Sequence, residues 1–140
     1  MLRPSNVSKA LRKEPKWYLR DWSGVPDEGP RAETLVACHL LKAVETWTDL
    51  GLGEFGLYYV RDKEKREVDF LVARDRKPWF LAEVKKSEER LDSALSRFQD
   101  QVKTAHTFQV VLDLPYVDAD CFNSRSPLVV PARTFLSQLP

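Results

Sequence analysis

Cysteine is scarce in this chain. Cys38 and Cys121 are the only two among 140 residues. Their separation fits no metal-ligand spacing, and Cys38 falls within an apolar helical pattern, so both are expected to be reduced and structural. Long apolar runs are missing too. None approaches the roughly 18–20 residues needed to span a bilayer. Met1 to Ala10 lacks the apolar stretch of a secretory signal. The expectation is a cytoplasmic protein with no membrane partner. A glycine-rich phosphate loop ending in Gly-Lys-Ser/Thr is also absent, which excludes ATP-driven activity for this chain. No internal repeat or low-complexity segment interrupts the sequence.

No sign of charge dominates, since the formal net charge is +1. Its distribution says more. Six Lys/Arg against two acidic residues fall between Met1 and Asp21, giving +4. Ten basic against eight acidic residues fall between Arg61 and Arg90, giving +2. A basic leader of this kind can track phosphates, or it can simply be a solvated tail. With 43% apolar and 31% charged residues, the chain has the make-up of one soluble globular domain with a single moderate core. Residues 1–15 are expected to be a flexible basic segment and residues 16–140 the folded domain.

Apolar spacing gives the element order. The aromatic-rich Lys16-Trp17-Tyr18-Leu19-Arg20-Asp21-Trp22 is expected to pack onto the domain, and Ser23 to Pro30 to form a loop. Leu35, Val36, Cys38, His39, Leu40, Leu41 and Val44 predict a broad apolar helix from Pro30 or Arg31 to about Thr46. Glu33 then lies in its first turn, where the helix dipole favours an anion. Trp47 to Gly56 reads as a loop. Three strands follow, Leu57–Arg61, Arg66–Ala73 and Trp79–Lys85, joined by turns at Asp62–Lys65 and Arg74–Pro78; short turns argue for an antiparallel meander. Leu91, Ala94, Leu95, Phe98, Val102 and Ala105 mark an amphipathic helix from Glu88 to about His106. Phe108–Leu112 reads as a buried strand that need not be antiparallel. After an irregular stretch from Pro115 to Pro127, Leu128–Val130 is expected as a last short strand and Ala132–Leu139 as a last helix. The fold class is α/β, with one mixed central sheet flanked by helices.

Strand alternation brings three chemical groups together. Glu83 and Lys85 share a face of their strand. If the preceding turn centres on Arg76, opposed residues sum to about 152, so Asp69 sits opposite Glu83 and both carboxylates point the same way. Acids among apolar neighbours are costly unless something compensates them. A divalent cation held between Asp69 and Glu83 would do so, and hard oxygen ligands supplemented by water and phosphate suit Mg²⁺. Lys85 on the same face could orient or deprotonate a water, or stabilise charge developing on a phosphoryl oxygen. The competing explanation is an ordinary cross-strand ion pair on an exposed face.

The segments Glu67-Val68-Asp69-Phe70-Leu71-Val72 and Leu81-Ala82-Glu83-Val84-Lys85 resemble the Asp…Glu-x-Lys core of PD-(D/E)xK phosphodiesterases, a superfamily that includes restriction endonucleases. The element order resembles that superfamily's αβββαβ core. From about residue 16 to 136 the chain looks like the C-terminal domain of unknown function found in prokaryotic AAA-type ATPases. The resemblance implies a Mg²⁺- (or Mn²⁺-) dependent nuclease acting on nucleic acid, DNA being the expected substrate. Asp69, Glu83 and Lys85 would be catalytic, and Glu33 would join Asp69 and Glu83 at the metal. It also implies an auxiliary helix glutamine, and Gln99 and Gln101 are both candidates that periodicity does not separate. Relatives often pair to cut two strands, so a homodimer is a further expectation. The alternative reading is a non-catalytic nuclease-fold module that binds DNA or a partner ATPase. His39 and His106, each placed on a helix, fit structural roles better than ligation. Trp17, Trp22, Trp47 and Trp79 fit packing better than base stacking.

Overall fold

The computed structural model describes residues 31–62 and 64–140, together with the backbone of 17–21. The leading basic segment and the loop expected at Ser23–Pro30 lie outside the described residues. Trp17–Asp21 forms β1. It is followed by α1 (Arg31–Asp49), β2 (Phe55–Asp62), β3 (Glu67–Arg74), β4 (Lys77–Lys85), α2 (Ser93–Val102), β5 (His106–Val111), a short 3₁₀ turn (Cys121–Asn123), β6 (Leu128–Pro131) and α3 (Ala132–Ser137). The strands form one mixed sheet in sequential order β1-β2-β3-β4-β5-β6. β1 to β4 pair antiparallel in succession. β5 runs parallel to β4, and β6 parallel to β5. The αβββαβ core expected from the sequence is therefore present, with β1 added at one edge and β6 at the other.

α1 contains neither proline nor glycine and runs three residues past its expected end. It stops where Gly51 adopts φ 79°. The Leu52 N–H donates to the Trp47 carbonyl at 3.1 Å, and the Gly51 N–H to that of Thr48 at 3.0 Å, the paired bonds of a Schellman cap. The Thr48 hydroxyl then accepts the Phe55 N–H at 3.0 Å, which ties the helix end to the start of β2. Val36, Leu40 and Val44, one helical turn apart, face the sheet. Leu35 and Cys38, expected in the apolar stripe, are exposed instead. A helix against one sheet buries only a limited arc, and both side chains fall outside it.

The β3–β4 connection is tighter than the sequence suggests. Asp75 and Arg76 take φ of 52° and 69°, the positive pair that a two-residue type I′ hairpin demands. β3 therefore extends to Arg74 and β4 starts at Lys77. The register slips between Val72↔Phe80 and Ala73↔Pro78, where Pro78 has no N–H to donate. That bulge restores the anticipated pairing further along, with Phe70 opposite Ala82.

Each sheet face has its own core. Phe70, Val72, Phe80, Ala82, Phe108 and Val110 pack under α1 and α3, with Phe135 closing the cluster. Trp47, Trp79, Phe122 and His106 extend it as an aromatic end, with Trp79 and Phe122 stacked at 5.3 Å. This meets the packing expectation for Trp47 and Trp79. Tyr58, Val60, Val68, Leu71 and Leu81 pack on the other face under Leu95, Phe98 and Val102 of α2. Burying each of those three α2 side chains is worth about 1.5–3 kcal/mol.

α2 is shorter than its apolar spacing indicates. It begins after Asp92, whose carboxylate accepts the Ala94 N–H at 2.9 Å, and ends at Lys103 with φ 62°. Residues 88–92 are a separate segment, and His106 belongs to β5 rather than to a helix. Ala105, counted in the stripe, is exposed.

Candidate functional site

The candidate site forms where β3 and β4 part. Their last ladder pair is Phe70↔Ala82. Beyond it, Asp69 Oδ2 accepts the Val84 N–H at 2.9 Å. β3 also carries a bulge against β2: Tyr58 opposes Leu71, while Val60 opposes Val68. One extra residue is thus accommodated at Asp69–Phe70, and strand alternation slips there. Val68 packs in the same cluster as Leu71 and Ala73, not with Phe70 and Val72. A bulge bends a strand and re-aims a side chain. Here it frees the Asp69 carboxylate to reach across to β4.

Glu83 and Lys85 lie on the β4 segment that pairs with β5, Glu83 beside Gln109 and Lys85 beside Val111. Asp69 and Glu83 are close enough to share a hydrogen bond. Two buried carboxyls in contact cannot both ionise cheaply. Burial, the Asp69 charge and the hydrogen bond to Asp69 push Glu83 up to about 9, against the pull of Lys85. Burial also raises Asp69, although the Val84 N–H, the Glu83 hydrogen bond and Lys85 oppose the rise. At neutral pH Glu83 therefore still holds its proton.

Glu33 reaches the cluster from the first turn of α1. Burial raises its pKa, and the charges of Asp69 and Glu67 raise it further. Glu67 was not singled out by the sequence pattern. It sits at the exposed start of β3 and pairs with Arg61 Nε at 3.3 Å. The Glu67 charge thus bears on Glu33 and Asp69, and the charges of Asp69 and Glu33 bear on Glu83.

Lys85 is half-buried, with Nζ 3.6 Å from Glu88 Oε2 and 3.7 Å from Asp92 Oδ2. Partial burial pushes its pKa down, but the charges of Glu83, Glu88 and Asp92 outweigh that and leave it raised. A lysine held charged in this way stabilises negative charge; it cannot also deprotonate a water. Of the roles open to Lys85 from sequence, the electrostatic one fits its surroundings.

Neither candidate glutamine is hydrogen-bonded to this cluster. Gln99 accepts a hydrogen bond from the Ser126 hydroxyl. Gln101 keeps a buried Oε1 without a hydrogen-bond partner among the described residues. They lie about 10 and about 14 Å along α2 from its Asp92 cap, at 1.5 Å per residue. The glutamine beside the site is Gln109, fully buried on β5. The signal for it was present: a lone amide in the apolar run Phe108–Leu112, which must find partners inside the protein.

Among the described residues, no three His, Cys, Asp or Glu side chains form a ready metal cage. Mg²⁺ needs no such cage, because it keeps several waters and takes one or two carboxylates. Asp69 and Glu83 fit that demand, because a cation there would offset the burial that raises both of their pKa values. Glu33 lies near enough for the charge of Asp69 to raise its pKa.

A profile of an uncharacterised family, described as a domain of unknown function (DUF4143), matches residues 28–117. The chain belongs to this family. DUF4143 domains are often found in AAA-type ATPase proteins. The matched region runs from α1 through β5, and so takes in Glu33, Asp69, Glu83, Lys85 and Gln109. No curated protein and no solved structure matches the chain. No helix among the described residues is long and apolar enough to cross a membrane.

Proposed function

We propose that this DUF4143 domain is a Mg²⁺- or Mn²⁺-dependent phosphodiesterase of the PD-(D/E)xK kind, acting on nucleic acid, with DNA as the expected substrate. The single observation that carries the reading is the Asp69–Glu83 pair, which burial and mutual repulsion force to keep a proton up to about pH 9. Acidic pairs with displaced pKa values in otherwise apolar surroundings cluster at functional sites. Asp69 and Glu83 would hold the cation, and Glu33 would orient its water. A bound Mg²⁺ supplies Lewis acidity toward a phosphoryl oxygen and lowers the pKa of its water. Lys85, kept protonated by Glu83, Glu88 and Asp92, would stabilise the negative charge that builds on the phosphorus oxygens.

A second reading is a nuclease-fold module that binds DNA or a partner ATPase without cutting. Two observations favour it: no tight three-ligand cage exists among the described residues, and the family occurs alongside AAA-type ATPases. Calorimetric titration with Mg²⁺ and Mn²⁺ separates the two. Binding by the wild type that disappears in Asp69→Asn/Glu83→Gln supports the phosphodiesterase. No binding, with or without a DNA oligonucleotide, leaves the interaction module.

A further inference from the structure

Lys85 is the cation of the candidate site, yet its two ion-pair partners belong to a surface segment. Residues 86–90 are all exposed. A loop of that kind would ordinarily leave Glu88 and Asp92 free to wander, and Lys85 with them. One buried side chain prevents this. Gln109 Nε2 donates to the Glu88 carbonyl at 3.0 Å and to the Arg90 carbonyl at 2.8 Å. Its Oε1 accepts the Asp92 N–H at 2.8 Å. The segment needs two donors and one acceptor from a single point, and only a primary amide supplies both. Gln109 is also the β5 residue in register with Glu83, so the same strand position abuts the carboxyl pair and grips the loop.

We infer that Gln109 is a positioning residue: it locks residues 88–92 so that Glu88 and Asp92 fix the Lys85 ammonium beside Glu83. It touches neither metal nor substrate, since both of its N–H donors are engaged by loop carbonyls. It acts on the site as outer-shell partners do, by orienting a group that does the work. This inference rests on the proposed charge-stabilising role of Lys85.

The test is a zero-length carbodiimide cross-link mapped by peptide mass spectrometry on the full chain. Wild type is expected to give an amide between Lys85 and Glu88 or Asp92. Gln109→Leu is expected to lose it while the thermal transition stays cooperative. An undiminished cross-link in that variant overturns the inference. If Gln109→Leu does not fold, the wild type still decides. Its Gln109 side-chain amide protons should be protected from hydrogen exchange, and rapid exchange overturns the assignment. On any DNA oligonucleotide that the Mg²⁺-loaded wild type cuts, Gln109→Leu should lower kcat and leave KM unchanged; an unchanged kcat also overturns it. Failure of the wild type to cut any substrate defeats the phosphodiesterase reading alone, because the cross-link still reports on Gln109.

Discussion

The Asp69 carboxylate accepts the Val84 N–H at 2.9 Å, in the place where a β3 carbonyl would stand if the β3–β4 ladder continued. One side chain thus ends the ladder and opens the site. Asp69→Ala should leave the Val84 N–H without its partner, at a cost of about 1–3 kcal/mol. Asp69→Asn keeps an acceptor and removes the charge that opposes Glu83. It should therefore be the less destabilising of the two in urea denaturation at pH 7. The reverse order would mean that the Val84 bond contributes little.

The Glu83 proton makes a prediction about pH. An unfolded Glu83 releases its proton near 4.5, whereas the folded one holds it to about 9. Within that window the native state binds more protons than the unfolded state, so raising the pH withdraws stability. Asp69, also raised, adds to the same slope. Denaturation midpoints measured in the absence of divalent ions should fall steadily from about pH 5 to about pH 9. Glu83→Gln should flatten most of that fall and be the more stable protein at the alkaline end. A wild-type profile as flat as that of Glu83→Gln would show that the pair is not strained.

Much of this was legible in the sequence, for identifiable reasons. Alternation in β4 placed Glu83 and Lys85 together, and the register anticipated for Asp69 and Glu83 holds as far as Phe70↔Ala82, the last ladder pair before them. It holds for a reason that alternation does not contain: a tight turn at Asp75–Arg76 and a bulge near Trp79 offset one another. The β3 bulge that turns Asp69 toward Val84 left no trace in composition, because Val68, Phe70 and Leu71 are all apolar and any of them could face either core. The α2 boundaries depart from the apolar spacing because Leu91 packs against the same cluster as Leu95 without being helical. Periodicity records which residues are apolar, whereas the Asp92 cap and the Gln109 bonds decide where the helix starts. Gln109 carries no helical periodicity because it lies on β5.

Metal binding should be coupled to proton release. Glu83 holds a proton at neutral pH, and a cation held by both carboxylates must displace it. Calorimetry of Mn²⁺ binding at one pH, in buffers of different ionisation enthalpy, should show an apparent heat that varies with the buffer. Affinity should rise between pH 6 and pH 9. Excess metal should also raise the unfolding temperature, since ligand that binds only the native state stabilises it by mass action. Glu83→Gln offers the sharpest contrast. Without metal it should be at least as stable as wild type above neutral pH, yet gain nothing from Mn²⁺. A variant more stable than the parent and indifferent to metal would mean that the strain at Glu83 serves binding.

Lys85 carries the last prediction. It lowers the pKa of Glu83 and is itself held protonated by Glu83, Glu88 and Asp92. Lys85→Met keeps the apolar stem and discards the charge. Without the ammonium, Glu83 should hold its proton more tightly, so metal affinity at pH 7 should weaken while remaining measurable. Any DNA cleavage should fall much further, by about 10²–10³-fold in kcat, as expected when a charge-stabilising group is removed from a transition state. Lys85→Arg tests geometry rather than charge. Its planar guanidinium can still pair with Glu88 and Asp92 but presents different donors, so it should recover metal affinity more fully than kcat. If Lys85→Met weakened metal binding and cleavage equally, Lys85 would act only through the acidity of Glu83. A loss of cleavage well beyond the loss of metal would place its charge at the reacting phosphate.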